Sequence, residues 1–279
     1  MADKEMFKYK ITVVTVCLNA EKLIRETIDS VLIQRYSDFE YLVIDGLSMD
    51  TTVDIIHGYQ KQFEKRGVPL RLISESDNGI YDAMNKAAKY AEGEWVIYMN
   101  AGDTFFNSKV LEYASKKLDD SIDMLYGNIV IHENERYKLV PAGKMSEVNW
   151  KNPVHHQAAF TKTELLRRYG FDTSYKLVAD YDLLLRLRND NARFLRSPYV
   201  FASFLMGGVS NAQYVKNTKE MNQSRKINRV PGINVWMIII YYSVLFTSRN
   251  LAKKIMGEAF YSEQRGWSKD KIKATRKEK

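Results

Sequence analysis

Carboxylates and amides placed at the ends of apolar runs give a chain the means to hold a cation or a polar ligand. Four such places occur early in this sequence: Thr15 to Glu21, Asp45, Ser74 to Gly79, and Asn100 to Asp103. The last is the sharpest. "VIYMNAGDTF" (Val96 to Phe105) starts apolar and stops in the turn Asn100-Ala101-Gly102-Asp103, which carries one carboxylate. An Asp or Asn after a strand is often only a turn residue or a helix cap, but four such sites on one edge point to a ligand. Further along, "KLVADYDLLLRL" sets Asp180 and Asp182 at the head of a leucine-rich helix, and "VHHQAAF" offers His155, His156 and Gln157. The His pair has no zinc spacing, since the one cysteine, Cys17, is far away. Neither G-x-G-x-x-G nor G-x-x-x-x-G-K occurs, so dinucleotide and P-loop modes lack support. A diphosphate held without such a loop calls for a divalent cation, and an Asp103 oxygen suits Mg²⁺ or Mn²⁺.

These side chains need elements to carry them. "ITVVTVCL" (Ile11 to Leu18), "FEYLVIDG", "LRLISE" and "GEWVIYMN" read as strands, continuous in apolar residues as in a parallel sheet covered on both faces. Between them, Leu23, Ile24, Thr27, Ile28 and Val31 share one helical face, with Asn19 as the expected N-cap. Thr52–Phe63 reads as a second helix, and Asp77-Asn78-Gly79 opens a third through Ile80, Ala83, Met84, Ala87, Ala88 and Ala91. This alternation over residues 11–100 predicts a doubly wound, mostly parallel α/β sheet. Such sheets bind ligands at the carboxyl ends of their strands, where all four polar sites fall. Beyond Asp103 the spacing predicts a helix over Lys109–Leu118, a strand at "DMLYGNIVI", a polar loop, and helices over Thr161–Tyr169 and Asp180–Arg188.

Hydrophobic residues make up 45% of the 279, with five prolines, which suits a sizeable core and excludes a disordered chain. One cysteine excludes an internal disulfide and fits a reducing compartment. The polar start "MADKEMFKYK" shows no secretory signal. Charge is divided unevenly. From Asn211 onward there are 15 Lys and Arg against 5 Asp and Glu, which leaves residues 1–210 at −2 of the total +8. A basic tail of this kind meets nucleic acid or an anionic membrane surface. It follows 19 uncharged residues, "VPGINVWMIIIYYSVLFTS", about 28 Å long if helical. Asn234, Ser243, Tyr241 and Tyr242 make a poor membrane span, whereas an in-plane anchor or a core-packing helix both fit.

The segment "ITVVTVCLNAEKLIRETIDSVLIQRYSDFEYLVIDGLSMDTT", with "SESDNGIYDAMNKAAKYAEGEWVIYMNAGDTF", resembles family 2 glycosyltransferases, the inverting enzymes of the GT-A fold. It resembles especially the branch that builds bacterial exopolysaccharide, capsule and O-antigen units. The likeness covers about residues 9–210. It implies a glycosyltransferase domain over 1–228, with a nucleotide-binding half near 9–103 and an acceptor half over 104–228, followed by a membrane-associating extension over 229–279. It implies a nucleotide-sugar pocket lined by Thr15, Asn19, Glu21, Asp45, Asp77, Gly79, Asn85, Asn100 and Ala101, with Asp45 facing the base. Asn100 to Asp103 stands where the family has a D-x-D metal motif. Here it is N-A-G-D, so Asp103 is left as the ligand for Mn²⁺ or Mg²⁺.

Inverting transfer needs a base beside the acceptor hydroxyl, opposite the leaving diphosphate. The likeness puts that base at Asp180; on position alone the residue equally suits a helix N-terminal acid. His156, Gln157, Asp182, Gly207 and Gly208 fall on the acceptor side. The implied partners are a nucleotide-diphosphate sugar, most simply UDP-linked, and a polyprenyl-diphosphate-linked saccharide, met by residues 231–279 at the inner face of the cell membrane. Nucleic acid is not among them. A nucleotide-sugar-binding module without turnover and, less simply, a nucleotidyltransferase are the alternatives.

Overall fold

The structure is a computed structural model and describes residues 7–133, 136–205 and 214–230, with isolated positions 244 and 248. Gly207, Gly208 and nearly all of the 229–279 extension lie outside the described residues.

Apolar runs too long to be one-sided become central strands: β1 (Tyr9–Cys17), β2 (Phe39–Asp45), β3 (Leu70–Ser74) and β4 (Gly93–Tyr98), all parallel. They alternate with α1 (Ile24–Leu32), α2 (Thr52–Gly58), α3 (Gln60–Lys65) and α4 (Ile80–Tyr90). The predicted Thr52–Phe63 helix is broken at Tyr59, immediately after Gly58, whose missing side chain weakens helix continuity. Asn19 does not cap α1. Its backbone sits at φ +49° and its side-chain oxygen accepts the Met49 N–H, while the helix begins at Ile24.

The second half completes the same sheet. β5 (Asp103–Phe105) starts at the predicted metal ligand, followed by α5 (Val110–Ser115), the β6 (Met124–Glu133) and β7 (Arg136–Val140) hairpin, and β8 (Ala159–Lys162). α6 (Thr163–Tyr169), α7 (Ala179–Asn189), β9 (Phe194–Leu205) and α8 (Tyr214–Ile227) follow. The strand order is β3-β2-β1-β4-β8-β6-β9-β5, with β7 on β6. The longest ladders, β1–β2 and β6–β9, are parallel, and β8 joins β4 and β6 antiparallel.

Alternate residues of the strands supply two cores, as their period of two requires. Ile11, Val13, Val43, Trp95 and Ile97 pack with Ile24, Ile28, Val31, Phe63 and Leu111. Val14, Val16, Leu42, Ile44 and Val96 pack on the other face with Ala83, Met84, Ala87, Leu183 and Leu187. The small residues of α4 let it lie close to that face. A mixed, mostly parallel sheet is thus covered on both sides, leaving its carboxyl edge for chemistry.

Candidate active site

The turn after β4 is built by its own backbone and by α1. Asp103 N–H donates to the Asn100 carbonyl at 2.8 Å, and Gly102 between them has φ +99°, open only to glycine at low cost. Thr27 of α1 clips the turn: its hydroxyl oxygen accepts the Gly102 N–H at 2.9 Å, and it donates to the Asp103 carbonyl at 2.8 Å. Beneath, the buried Thr15 hydroxyl donates to the Met99 carbonyl at 2.7 Å and pairs with Tyr41. The Thr15 hydroxyl, fully buried, therefore anchors the turn from inside the sheet. Ala101 N–H donates to Val16 at 3.3 Å, which fixes the turn to β1.

Chain folding brings the His156 segment onto this turn. Because β8 pairs with β4, the short turn His156–Ala158 lands beside Asn100. His156 Nε2 accepts from Asn100 Nδ2 at 3.2 Å and stands 4.0 Å from Asp103 Oδ2, and the nearby Gln157 side chain favours the ionised form of the Asp103 carboxyl. Burial pushes Asp103 up to about 7 and His156 down to about 4, so the imidazole is neutral at pH 7 and its approach to Asp103 is not an ion pair. The Asn100 side-chain oxygen is buried with no hydrogen-bond partner. An orphaned carbonyl oxygen beside a desolvated carboxylate suits a hard cation, which takes its remaining ligands from phosphate and water. Among the described residues no cluster of three or more His, Cys, Asp or Glu is placed to hold a metal alone.

Toward the β2 and β3 end the acids organise loops. Asp45 is fully buried and accepts from Ser48 N at 3.0 Å and from the Ser74 hydroxyl at 2.7 Å. Gly46 follows because any Cβ there would lie 2.5 Å from Asp77 Oδ2, so the three residues meet at one point of the rim. Asp77 Oδ1 accepts the Gly79 N–H at 2.8 Å, and Gly79, at φ +116°, precedes the first turn of α4. Asn19 and Glu21 tie the β1 and β2 loops together, the first to Met49 and the second to Thr51. Asn85 is placed away from the rim: both ends of its amide bond the Phe171 backbone, at 2.8 and 2.7 Å.

Asp180 lies in the first turn of α7, at the wall of a cavity of about 30 Å³ whose lining is chiefly apolar: Tyr98, Val154, Phe171, Leu183 and Leu184. His156 lines the same cavity, so one residue bridges the turn at Asp103 and the neighbourhood of Asp180. Burial raises the Asp180 pKa above the ordinary carboxylate value, opposed by hydrogen bonds and by nearby His155. Asp45 is not part of that cavity lining; it stands at the other end of the rim. Asp182, two residues on, faces α8 instead. It accepts from Arg186 at 2.7 Å, Ser224 at 2.7 Å and Asn228 at 2.9 Å, so it joins helices and is not part of that cavity lining. Asp182→Ala is expected to cost about 2 kcal/mol, discounted because Arg186 remains a quarter exposed. The corresponding drop is about 4–8 °C in Tm, and calorimetry checks it; an unchanged Tm overturns the helix-joining role.

Sequence reasoning missed Tyr81, Asn152 and the position of His155, all grouped at Asp180. The "KNPV" turn is the only local sign of Asn152, and nothing near it in sequence points to residue 180.

Residues 12–182 match glycosyl transferase family 2. The chain belongs to that family. A relative from Mycobacterium tuberculosis, described as a PGL/p-HBAD biosynthesis glycosyltransferase, is 27% identical over 199 residues, 70% of this chain and 76% of the relative. The poly(ribitol-phosphate) beta-glucosyltransferase of Bacillus spizizenii is 22% identical over 78% of this chain and 38% of its own length. Among solved structures, S. aureus TarS 1-349 in complex with UDP-GlcNAc superposes with a TM-score of 0.62 at 22% identity; the overlap is 78% of this chain and 65% of that one. The mannosyltransferase PcManGT from Pyrobaculum calidifontis, in complex with GDP-Man and Mn²⁺, gives 0.60 at 20% identity, over 81% and 66%. These structures share the fold: a mixed sheet flanked by helices, of GT-A type.

Proposed function

We propose that this family 2 glycosyltransferase moves a hexose, with inversion, from a nucleoside-diphosphate donor to a saccharide acceptor in cell-surface polysaccharide synthesis. The observation that carries the reading is the junction at His156. It connects a turn fitted for a cation and a diphosphate, Asn100 to Asp103, with a desolvated carboxylate at Asp180. Asp103 and the side-chain oxygen of Asn100 would hold Mn²⁺ or Mg²⁺, which would supply charge for the departing diphosphate. Asp45, Asp77 and Gly79 would meet the nucleoside and sugar, and Asp180 would take the acceptor proton. UDP is the favoured nucleotide, supported by the UDP-GlcNAc held by TarS; GDP, held as GDP-Man by PcManGT, is the alternative. A polyprenyl-diphosphate-linked acceptor accounts for the apolar and basic run over 231–279 as a peripheral attachment to the inner membrane face. No helix among the described residues is long and apolar enough to cross a membrane.

A thermal-shift screen of nucleotide sugars, with and without Mn²⁺, tests the donor. The matching nucleotide at about 100-fold over its Kd is expected to add about 2.7 kcal/mol and raise Tm by about 5–10 °C. No response to any nucleotide sugar sinks the reading. Release of nucleoside diphosphate with transfer distinguishes the enzyme from a nucleotidyltransferase, which releases pyrophosphate. Donor binding without any turnover leaves only a binding module.

A further inference from the structure

Asp180 is held by three donors that approach from different directions. Its Oδ1 accepts the Tyr181 backbone N–H at 2.8 Å and faces the Tyr81 hydroxyl at 3.4 Å, and its Oδ2 accepts from Asn152 Nδ2 at 3.0 Å. A carboxylate offers about four acceptor directions, two on each oxygen. Among the described residues both directions on Oδ1 are faced by donors, and one is left on Oδ2. We propose that Asn152 and Tyr81 are positioning residues that fix the Asp180 carboxylate by one oxygen each and present the open lone pair of Oδ2 to the acceptor hydroxyl. The inference rests on Asp180 being the base.

In that step the acceptor O–H bond breaks and its proton passes to Oδ2. The acceptor oxygen bonds the anomeric carbon, and the bond from that carbon to the diphosphate oxygen breaks, its electron pair leaving on the diphosphate.

Each donor is itself held in place. Asn152 Oδ1 accepts the Val154 N–H at 3.1 Å, so the amide oxygen is occupied by its own turn and the NH₂ end is the one turned to Asp180. Tyr81 lies in the first turn of α4 with its ring stacked on Phe171 at 5.6 Å and 26°, which aims the hydroxyl across to α7. Asn152 lies in the loop before β8 and Tyr81 just beyond Gly79 at the donor rim, so the base is gripped from both halves of the fold. The titratable neighbours are His155 from the same loop as Asn152, Tyr81 from α4, and His156 and Tyr98 across the shared cavity. Burial pushes His155 down to about 4 and the Tyr81 and Tyr98 hydroxyls up, so all of these are neutral at pH 7. The hydrogen bonds from Asn152 and Tyr81 favour the ionised form of Asp180, against the burial that opposes it.

Asn152→Asp separates positioning from a structural role. It keeps the acceptor for Val154 N–H, and with it the turn, but replaces the neutral amide donor at Oδ2 with a second carboxyl that competes with Asp180 for one shared proton. The acidic limb of kcat/KM against pH is expected to move up by about one unit or more, with kcat at pH 7 falling about tenfold and donor KM within about twofold. Tyr81→Phe keeps the ring stack and loses only a long hydrogen bond; about a threefold loss in kcat and a smaller upward shift are expected. If both variants keep the original acidic limb and kcat, the positioning proposal is overturned. Should Asn152→Asp not fold, Tyr81→Phe alone decides in the same way. Asp180→Asn, measured alongside, tells the two ideas apart. Full transfer there removes the base assignment itself, whereas lost transfer there with unmoved limbs in the other two variants removes only the positioning.

Discussion

Asp180→Asn is expected to lower transfer by about 10³-fold while donor affinity holds. The amide is nearly isosteric, and its oxygen still accepts from Asn152 or from the Tyr181 N–H, so the first turn of α7 keeps its geometry. What it lacks is a lone pair basic enough to take a proton, and a positioned base contributes about 10²–10⁴ in rate. The pH sign follows from the direction of the shift. Burial raises the Asp180 pKa, so a falling pH protonates it earlier than an exposed carboxylate, and the rate falls on that limb. In Asp180→Asn the acidic limb due to this residue disappears along with the rate. Steady-state transfer from pH 5 to 9, with donor binding by calorimetry, checks both halves. A variant that retains more than about a tenth of the activity rules out Asp180 as the base, given the size of that contribution.

The second large effect is at Asp103, where replacement by Asn is expected to act oppositely on function and on the metal-free fold. Burial holds this carboxyl up at about 7, which means that the ionised form is disfavoured by its surroundings. Removing the charge therefore relieves a desolvation cost, and the metal-free variant is expected to be at least as stable as the original above pH 7. Transfer, in contrast, is expected to fall by about 10²–10⁴, because several kcal/mol of charge stabilisation for the leaving diphosphate goes with the cation. The Mn²⁺-dependent part of the thermal shift should vanish with it. With Asp103 as the proposed ligand, cation and proton would compete for the same oxygen in the unmodified protein. Mn²⁺ affinity is accordingly expected to fall about tenfold for each unit of pH below 7 and to level off above it. Titration of Mn²⁺ at pH 5.5, 6.5 and 7.5, followed by electron paramagnetic resonance, reads this slope. A flat response sinks Asp103 as the ligand.

The predictions at Asp180 and Asp182 also show what two neighbouring acids owe to their surroundings. Both stand in the first turn of one helix, spaced so that they project in different directions. One faces an apolar cavity and Asn152; the other faces α8 and Arg186. Their spacing in the sequence shows that they differ, while the partners that make one a base candidate and the other a strut come from residues 81, 152 and 224.

By itself, the sequence determined the β-α alternation over residues 11–100 and the rim that carries Asp45, Asp77, Asn100 and Asp103. Those features follow from patterns a few residues long: apolar runs covered on both faces, helical spacing, and polar residues at strand ends. Tertiary structure alone decided that β8 inserts beside β4 and brings His156 to Asn100, and that β9, unseen in the pattern, covers the β5 strand begun by Asp103. It also decided that Thr15, Asn85 and Asp182 spend their hydrogen bonds inside the fold, away from the rim. The physical reason is range: periodicity is written in neighbouring residues, whereas a strand's partner and a carboxylate's donors are fixed by packing between segments tens of residues apart.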